Sequence, residues 1–254
     1  MWKLKIAEGK DDPWLASVNN HIGRQHWEFD PKAGTEEERG EVERLREEFK
    51  KNRFKIRQSA DLIMRMQLRG EDPSATIPPP VKLKEGEEIT EEAVTTTLRR
   101  AISFFSSIQA HDGHWPGESS GATFFLPSLV ITLYITRSIN TIISPEHRKE
   151  MMRYIYNCQR EDGGWGLFLE GHSTMLGSVL NYVALRLLGE DADDGEDNSM
   201  TRGRQWVLDH GGAIGIPSWG KFWLTVIGVY EWKGCNPVPP EFWLIPKVSP
   251  IHPG

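Results

Sequence analysis

Apolar and polar residues alternate over Trp2-Lys3-Leu4-Lys5-Ile6 and again over His26-Trp27-Glu28-Phe29. A period of two predicts two short strands, able to pair across the intervening segment rich in Asp, Pro and Asn. Beyond them the period becomes helical. Thr35 followed by Glu38 is a capping box, and Val42, Leu45 and Phe49 mark one face of a highly charged helix running to about Lys51. Ser59 is expected to cap a second helix carrying Leu62, Ile63 and Met66, closed by Gly70 and Asp72-Pro73. From Pro73 the pattern gives way to Pro, Lys and Glu, with Pro78-Pro79-Pro80 stiff and extended. The chain therefore divides into an N-terminal segment (1–72), an exposed linker (73–89) and a helical region (90–254).

In the third part helices and turns follow one another regularly. Thr90 opens a helix ending at Gln109, and a second runs from about Phe124 to Asn140. Ser144-Pro145 starts a third, with Pro at its permitted first position, ending near Cys158. Another extends from Ser173 to about Leu188, and one more lies around Arg202 to Asp209 after the acidic loop Glu190–Asp197. Trp219 then leads into an apolar helix ending at Trp232, and the remaining prolines keep the tail irregular.

This alternation carries a repeat. Gln109-Ala110-His111-Asp112-Gly113-His114-Trp115 recurs 50 residues later as Gln159-Arg160-Glu161-Asp162-Gly163-Gly164-Trp165. Each copy reads as a helix end, an Asp-Gly turn in which Gly113 or Gly163 supplies a positive φ, and a Trp leading to the next helix. Gln109 and Gln159 are expected to satisfy orphan backbone groups at the helix ends while their amides lie against Trp115 and Trp165. A third, worn copy is marked by Gly211-Gly212 and Trp219. Repeated helix pairs bury their apolar faces only by stacking on further pairs. The expected fold is all-α: a partial α/α toroidal barrel of helix-pair repeats with a small N-terminal strand and helix segment, leaving an exposed apolar edge.

Composition narrows the function. A net charge of −6 with interspersed signs leaves no electrostatic footprint for nucleic acid. Cys158 and Cys235, with no Cys-x-x-Cys, frame neither a disulfide scaffold nor a zinc site, and favour a reducing, cytosol-facing compartment. His111, His114 and His172 lack partners at ligand spacing, so no metal is expected. Asp112 and Asp162 are explained by local hydrogen bonding in their turns and are not nominated as acids. The start Met1-Trp2-Lys3-Leu4 is not a secretory signal, and Phe124–Ile135 is too short for the roughly 20 residues of a spanning helix, which leaves monotopic attachment as the membrane option.

The Gln-x-x-x-Gly-x-Trp units, with Phe-Phe-Leu-Pro at 124–127, Asp-Gly-Gly-Trp-Gly at 162–166, Leu180-Asn181-Tyr182 and Ile216-Pro217-Ser218-Trp219-Gly220-Lys221-Phe222-Trp223, resemble the oxidosqualene cyclases of the terpene cyclase/mutase family. The opening residues and Asn19-Asn20-His21-Ile22-Gly23-Arg24-Gln25 resemble the plant triterpene synthase branch. The resemblance implies protonation of the epoxide of 2,3-oxidosqualene and cationic cyclisation without metal or organic cofactor. It also implies attachment at the cytosolic face of the endoplasmic reticulum or at a lipid droplet surface. The family's acid is the Asp of an Asp-Cys-Thr-Ala-Glu motif that these residues do not contain, so this stretch, about the first third of a family member, is expected to be inactive alone.

By the same resemblance Trp219 lines the cyclisation cavity, where an indole face suits a cation. Ser119 stands where sterol-forming relatives carry a Tyr, which implies a pentacyclic product of the amyrin or lupeol kind. Trp223, one turn beyond Trp219, is assigned to packing. Two other readings are weighed beside this one. A prenyltransferase β-subunit uses similar Trp repeats but needs zinc ligands that do not occur here, and a truncated paralogue would serve only as an interaction or lipid-contacting module.

Overall fold

The computed structural model describes residues 1–9, 16–55, 62–71, 76–117, 123–235 and 244–250, in two compact units, Met1–Ser119 and Ser120–Gly254. Ser59, Ser119 and the Asp72-Pro73 step lie outside the described residues. The composition of elements is the expected one, helices with a single two-stranded sheet among the described residues.

In the first unit β1 (Trp2–Ile6) pairs antiparallel with β2 (Gln25–Phe29), placing Trp2 opposite Phe29 and Leu4 opposite Trp27. The capping box opens α1 (Glu36–Asn52): the Glu38 N–H donates to Thr35 Oγ1 at 3.2 Å, and the Thr35 N–H donates to Glu38 at 2.8 Å. Val42 is its buried residue, with Leu45 and Phe49 partly covered. In α2 (Leu62–Glu71) the buried residues are Met64 and Leu68, whereas Leu62, Ile63 and Met66 are only partly covered. The expected face is thus rotated, because Met64 and Leu68, one turn apart, pack with Ile6, Ile108 and Ala110. The Gln67 side chain then acts as an extra strand residue: its Oε1 accepts from the Leu4 N–H at 2.9 Å and its Nε2 donates to the Trp2 carbonyl at 2.5 Å. Thr90 caps α3 (Glu91–Ser107), which carries the first repeat turn at its end, inside this unit.

The second unit contains α4 (Phe125–Ile135), α5 (Ile139–Ile142), α6 (Pro145–Cys158), α7 (Met175–Leu188), α8 (Ser199–Asp209) and α9 (Ser218–Val226). Two helices are shorter than the pattern predicts. The run expected to reach Asn140 stops at Ile135, because Arg137 adopts φ 57° and the Ser138 N–H turns back to the Leu133 carbonyl at 2.8 Å. That closure satisfies carbonyls at the helix end and forces the chain out of the helix. The run expected to reach Trp232 stops at Val226 for the same reason: Gly228 takes φ 80° and the Val229 N–H bonds the Leu224 carbonyl at 3.0 Å. Thr174, one residue beyond the expected Ser173, caps α7, its hydroxyl accepting from the Gly177 N–H at 3.0 Å.

α7 is the central helix, and its apolar residues serve two cores. Ala184, Leu185 and Leu188 join Val130, Ile155, Trp165 and Met200, whereas Val179 and Leu180 join Ile131, Ile216 and Leu224. Val130 and Ile131 of α4 face different cores, which accounts for two apolar sides, while Phe125, Leu129, Tyr134 and Ile135 stay exposed.

The repeat is reproduced atom by atom. The Trp115 indole N–H donates to the Phe105 carbonyl at 2.8 Å, and the Trp165 indole N–H donates to the Ile155 carbonyl at 2.8 Å. Gln109 Nε2 donates to the Gly113 carbonyl at 2.7 Å, and Gln159 Nε2 to the Gly163 carbonyl at 2.8 Å. Gly113 and Gly163 have φ of 91° and 93°. The Trp, more than the Gln, meets a carbonyl of the last helical turn, while the Gln spans its own turn. The copies differ in burial: Trp165 is 0% exposed and Trp115 52%.

That difference predicts two energies. Trp165→Ala should destabilise the protein by about 3–5 kcal/mol, the scale of truncating a fully buried aromatic, and Trp115→Ala by clearly less. Urea unfolding of both variants checks this, and equal losses would mean that the two turns are equivalent in the fold.

Candidate functional site

The site is assembled from four pieces of the second unit: α9, the residues that lead into α4, the loop after Trp165, and Trp232 beyond the end of α9. Each piece has a local reason for its position. α9 starts at Pro217, which fixes the entry, and Gly220 lets it lie close to its neighbours, since a Cβ there would come within 2.3 Å of Ile216 and 2.8 Å of Leu176. Trp219 and Trp223 then stand one turn apart on α9, ring centroids 6.1 Å apart and nearly perpendicular at 88°.

Thr123 anchors the second piece. It is buried, its N–H donates to the Leu167 carbonyl at 3.2 Å, and its hydroxyl lies 2.8 and 2.7 Å from the carbonyls of Gly166 and Leu167. One proton is shared between two acceptors, so the start of α4 is stapled to the 166–171 loop. The other side of that loop is held by the Arg160 guanidinium, which donates to the Leu169 carbonyl at 2.5 Å and to the Gly171 carbonyl.

These anchors bring Phe124 against Phe125, Phe168 and Trp219, with centroid separations of 4.7, 6.5 and 6.0 Å. On the far side Phe222 lies 5.8 Å from Trp223 and 6.1 Å from Trp232. The result is a continuous row of rings in which Trp219 remains 43% exposed, with Phe125, Phe168, Phe222 and Trp232 exposed beside it. Aromatic faces are negative and edges positive, so such a row offers cation-binding faces on an apolar wall.

Of the residues singled out from sequence, Trp219 therefore lies at the middle of the row. Ser119 falls outside the described residues. Gln109, Gly113, Trp115, Gln159, Gly163 and Trp165 form the two clamps. Trp223 is partly buried, as packing requires, but its indole nitrogen is buried with no hydrogen-bond partner among the described residues. Phe124, Phe125 and Phe168 were not singled out from sequence: the Phe-Phe pair entered only as part of a family-like string at the start of an apolar helix, and nothing local distinguishes Phe168.

The two turn aspartates do the same work with different donors. Asp162 accepts from the Ser173 hydroxyl at 2.7 Å, the Gly164 N–H at 3.0 Å and the Trp206 indole N–H at 3.1 Å. Burial would raise its pKa, but these donors together hold it below the ordinary carboxylate value. Asp112 is likewise opposed by burial, yet the Gly23 N–H at 3.0 Å and the His114 ring at 2.5 Å bring it down to about 2. Carboxyls held ionised in this way are poor proton donors at neutral pH. Among the described residues no group of three His, Cys, Asp or Glu side chains is placed to hold a metal ion.

Comparison with known proteins bears on this geometry. The squalene-hopene cyclase N-terminal domain matches residues 98–253. The chain is 50% identical, over its whole length and 34% of the relative's, to an alpha-onocerin synthase of Lycopodium clavatum. It is 48% identical to a cycloartenol synthase of Dictyostelium discoideum over 62% of this chain and 22% of that protein. Similarity to a lanosterol synthase of Mus musculus is 47%, over 60% of this chain and 20% of that protein. The chain thus spans about a third of the first of these relatives.

A pH dependence follows from the aspartates. A carboxyl whose pKa is depressed on folding stabilises the protein above its unfolded pKa, near 3.9, and loses that contribution as pH falls through the folded value. Asp162→Asn turns an NH2 or a weaker acceptor toward the Trp206 and Ser173 donors. The variant should be less stable at neutral pH and show a shallower loss of stability between roughly pH 5 and pH 2. Urea unfolding across that range tests it, and a slope identical to the parent's would remove Asp162 from the account.

Proposed function

The chain belongs to the squalene-hopene cyclase N-terminal domain family, and from that premise we propose that it forms part of the cavity wall of a triterpene synthase acting on 2,3-oxidosqualene. The observation that carries the reading is the row of rings centred on the exposed Trp219. Cyclisation of a polyene epoxide moves positive charge through an apolar interior, where water would quench it and ordinary anions would capture it. Indole and phenyl faces stabilise such charge without offering a nucleophile, by about 2 kcal/mol or more once desolvated.

The division of labour follows from the acids present. Asp112 and Asp162 are held ionised by their donors, so neither opens an epoxide. The acid is supplied by the Asp-Cys-Thr-Ala-Glu motif of a complete family member, and this region shapes the cavity into which the proton is delivered. Ser119, small where sterol-forming relatives carry Tyr, favours a pentacyclic alcohol.

The same protein is proposed to sit on a membrane or lipid droplet at the cytosolic face of the endoplasmic reticulum, since its substrate partitions into lipid. Val229, Leu244 and Val248 are exposed apolar residues that suit monotopic attachment. No helix among the described residues is long and apolar enough to cross a bilayer.

Two measurements test the reading. The complete protein carrying this region should convert 2,3-oxidosqualene to a cyclic alcohol, and Trp219→Leu should lower kcat/KM by about thirtyfold, the equivalent of about 2 kcal/mol of lost cation stabilisation. Residues 1–254 expressed alone should give no cyclic product, and any pentacyclic alcohol above an empty-vector control would refute the assignment of the acid to another region. Sedimentation with phosphatidylcholine vesicles should recover the complete protein, less so after Leu244→Ser; a protein that stays in the supernatant would end the attachment proposal.

A further inference from the structure

Trp219 is exposed, but its plane is not free. Phe124 meets it at 6.0 Å and 89°, and Trp223 meets it from the same helix at 6.1 Å and 88°. Phe124 is itself half-buried and also abuts Phe168 edge-to-face at 6.5 Å and 87°. Its backbone neighbour Thr123 is stapled to the carbonyls of Gly166 and Leu167, and the loop carrying Phe168 is gripped by Arg160. The Phe168 contact, the Thr123 staple and the Arg160 grip, three local constraints, therefore converge on one phenyl ring, which meets the indole edge-to-face.

Such a restraint matters because an aromatic ring is electrostatically two-sided. Its face attracts a cation and its edge repels one, so an indole that turns about χ2 loses the attraction and replaces it with repulsion. A residue that holds the plane contributes to cation stabilisation without touching the cation, by removing reorganisation that would otherwise accompany the charge.

We infer that Phe124 is a positioning residue for Trp219, fixing the indole plane so that its face meets positive charge, and that Thr123 sets Phe124 through the 166–171 loop. The inference rests on the proposed cation-facing role of Trp219. It identifies the ligand chemistry as a lipophilic cation without hydrogen-bond donors, and it places control over that cation one residue behind the cavity surface.

The test is a double-mutant cycle in the complete protein, read by calorimetric binding of dodecyltrimethylammonium below its micellar concentration, with dodecanol as the uncharged control. Phe124→Leu keeps apolar bulk and removes the ring. It should weaken ammonium binding about fivefold, the scale of one aromatic pair, and leave dodecanol within about twofold. Phe124→Tyr should restore the parent's preference. In a Trp219→Leu background Phe124→Leu should add nothing.

Thr123→Val, which keeps both rings, should give a smaller loss of the same sign, again only when Trp219 is present. It decides the matter if Phe124→Leu does not fold. Additive losses in the two backgrounds, equal losses for ammonium and dodecanol, or a parent whose ammonium binding does not depend on Trp219 would each overturn the inference. A parent that binds the ammonium through Trp219 but makes no cyclic alcohol from 2,3-oxidosqualene would instead defeat the functional reading, and the cycle would still decide the role of Phe124.

Discussion

The second unit depends on how one indole is enclosed. Trp165 ties down the end of α6 by donating its indole N–H to the Ile155 carbonyl, donates its backbone N–H to the Ser178 hydroxyl of α7 at 2.9 Å, and lies beneath Gly203 of α8. Three helices therefore meet on a single residue. The glycines around it are consequences: a Cβ at Gly203 would fall 2.4 Å from the ring, and one at Gly177 would fall 2.5 Å from the Trp165 carbonyl. Gln159 completes the arrangement by donating to both Gly163 and Ser199 carbonyls, which fixes its amide and leaves its buried Oε1 with no partner among the described residues. An unsatisfied acceptor at the centre of a repeat is tolerated because the two bonds made by the same amide tie the turn to α8.

From this enclosure the chain runs directly into the aromatic row. Gly166 and Leu167, the residues after Trp165, present the carbonyls that hold Thr123, and Phe168 follows. The clamp and the site are thus one continuous structure, in which the position of Phe124 is inherited from the position of Trp165. A rigid helical scaffold supporting a short loop is the arrangement expected where the geometry of a few rings must be held closely.

The two repeat turns also show how identical local chemistry acquires different partners. Both Asp side chains receive a backbone N–H two residues on and a donor from a more distant element, Gly23 for Asp112 and Trp206 for Asp162. The residue two places after Asp is His114 in one copy and Gly164 in the other. The His ring adds a hydrogen-bonding partner to Asp112, whereas the Gly leaves space that Ser173 and Ser178 occupy beside Gly164. In each copy the carboxylate locks a turn, and its ionised state is the condition for doing so.

Much of this was legible in sequence because it is local. Capping by Thr35, Thr90 and Ser144, the strand alternation, the Asp-Gly turns and the 50-residue repeat all depend on residues within a turn or two of one another, and the backbone geometry obeys them. The resemblance that singled out Trp219 was likewise a matter of short strings. Tertiary structure decided the remainder. Whether an apolar run continues as helix through Arg137 or Gly228 depends on which carbonyls find a partner at the bend, and periodicity does not encode that choice. Phe168 reads as an unremarkable loop residue until Thr123 and Arg160 hold its loop beside α4 and α9. Trp115 and Trp165 are the same residue in the same motif, yet one is half exposed and the other enclosed, because enclosure is supplied by helices distant in sequence. Local hydrogen bonding specifies elements; only the packing of elements against one another specifies which rings meet.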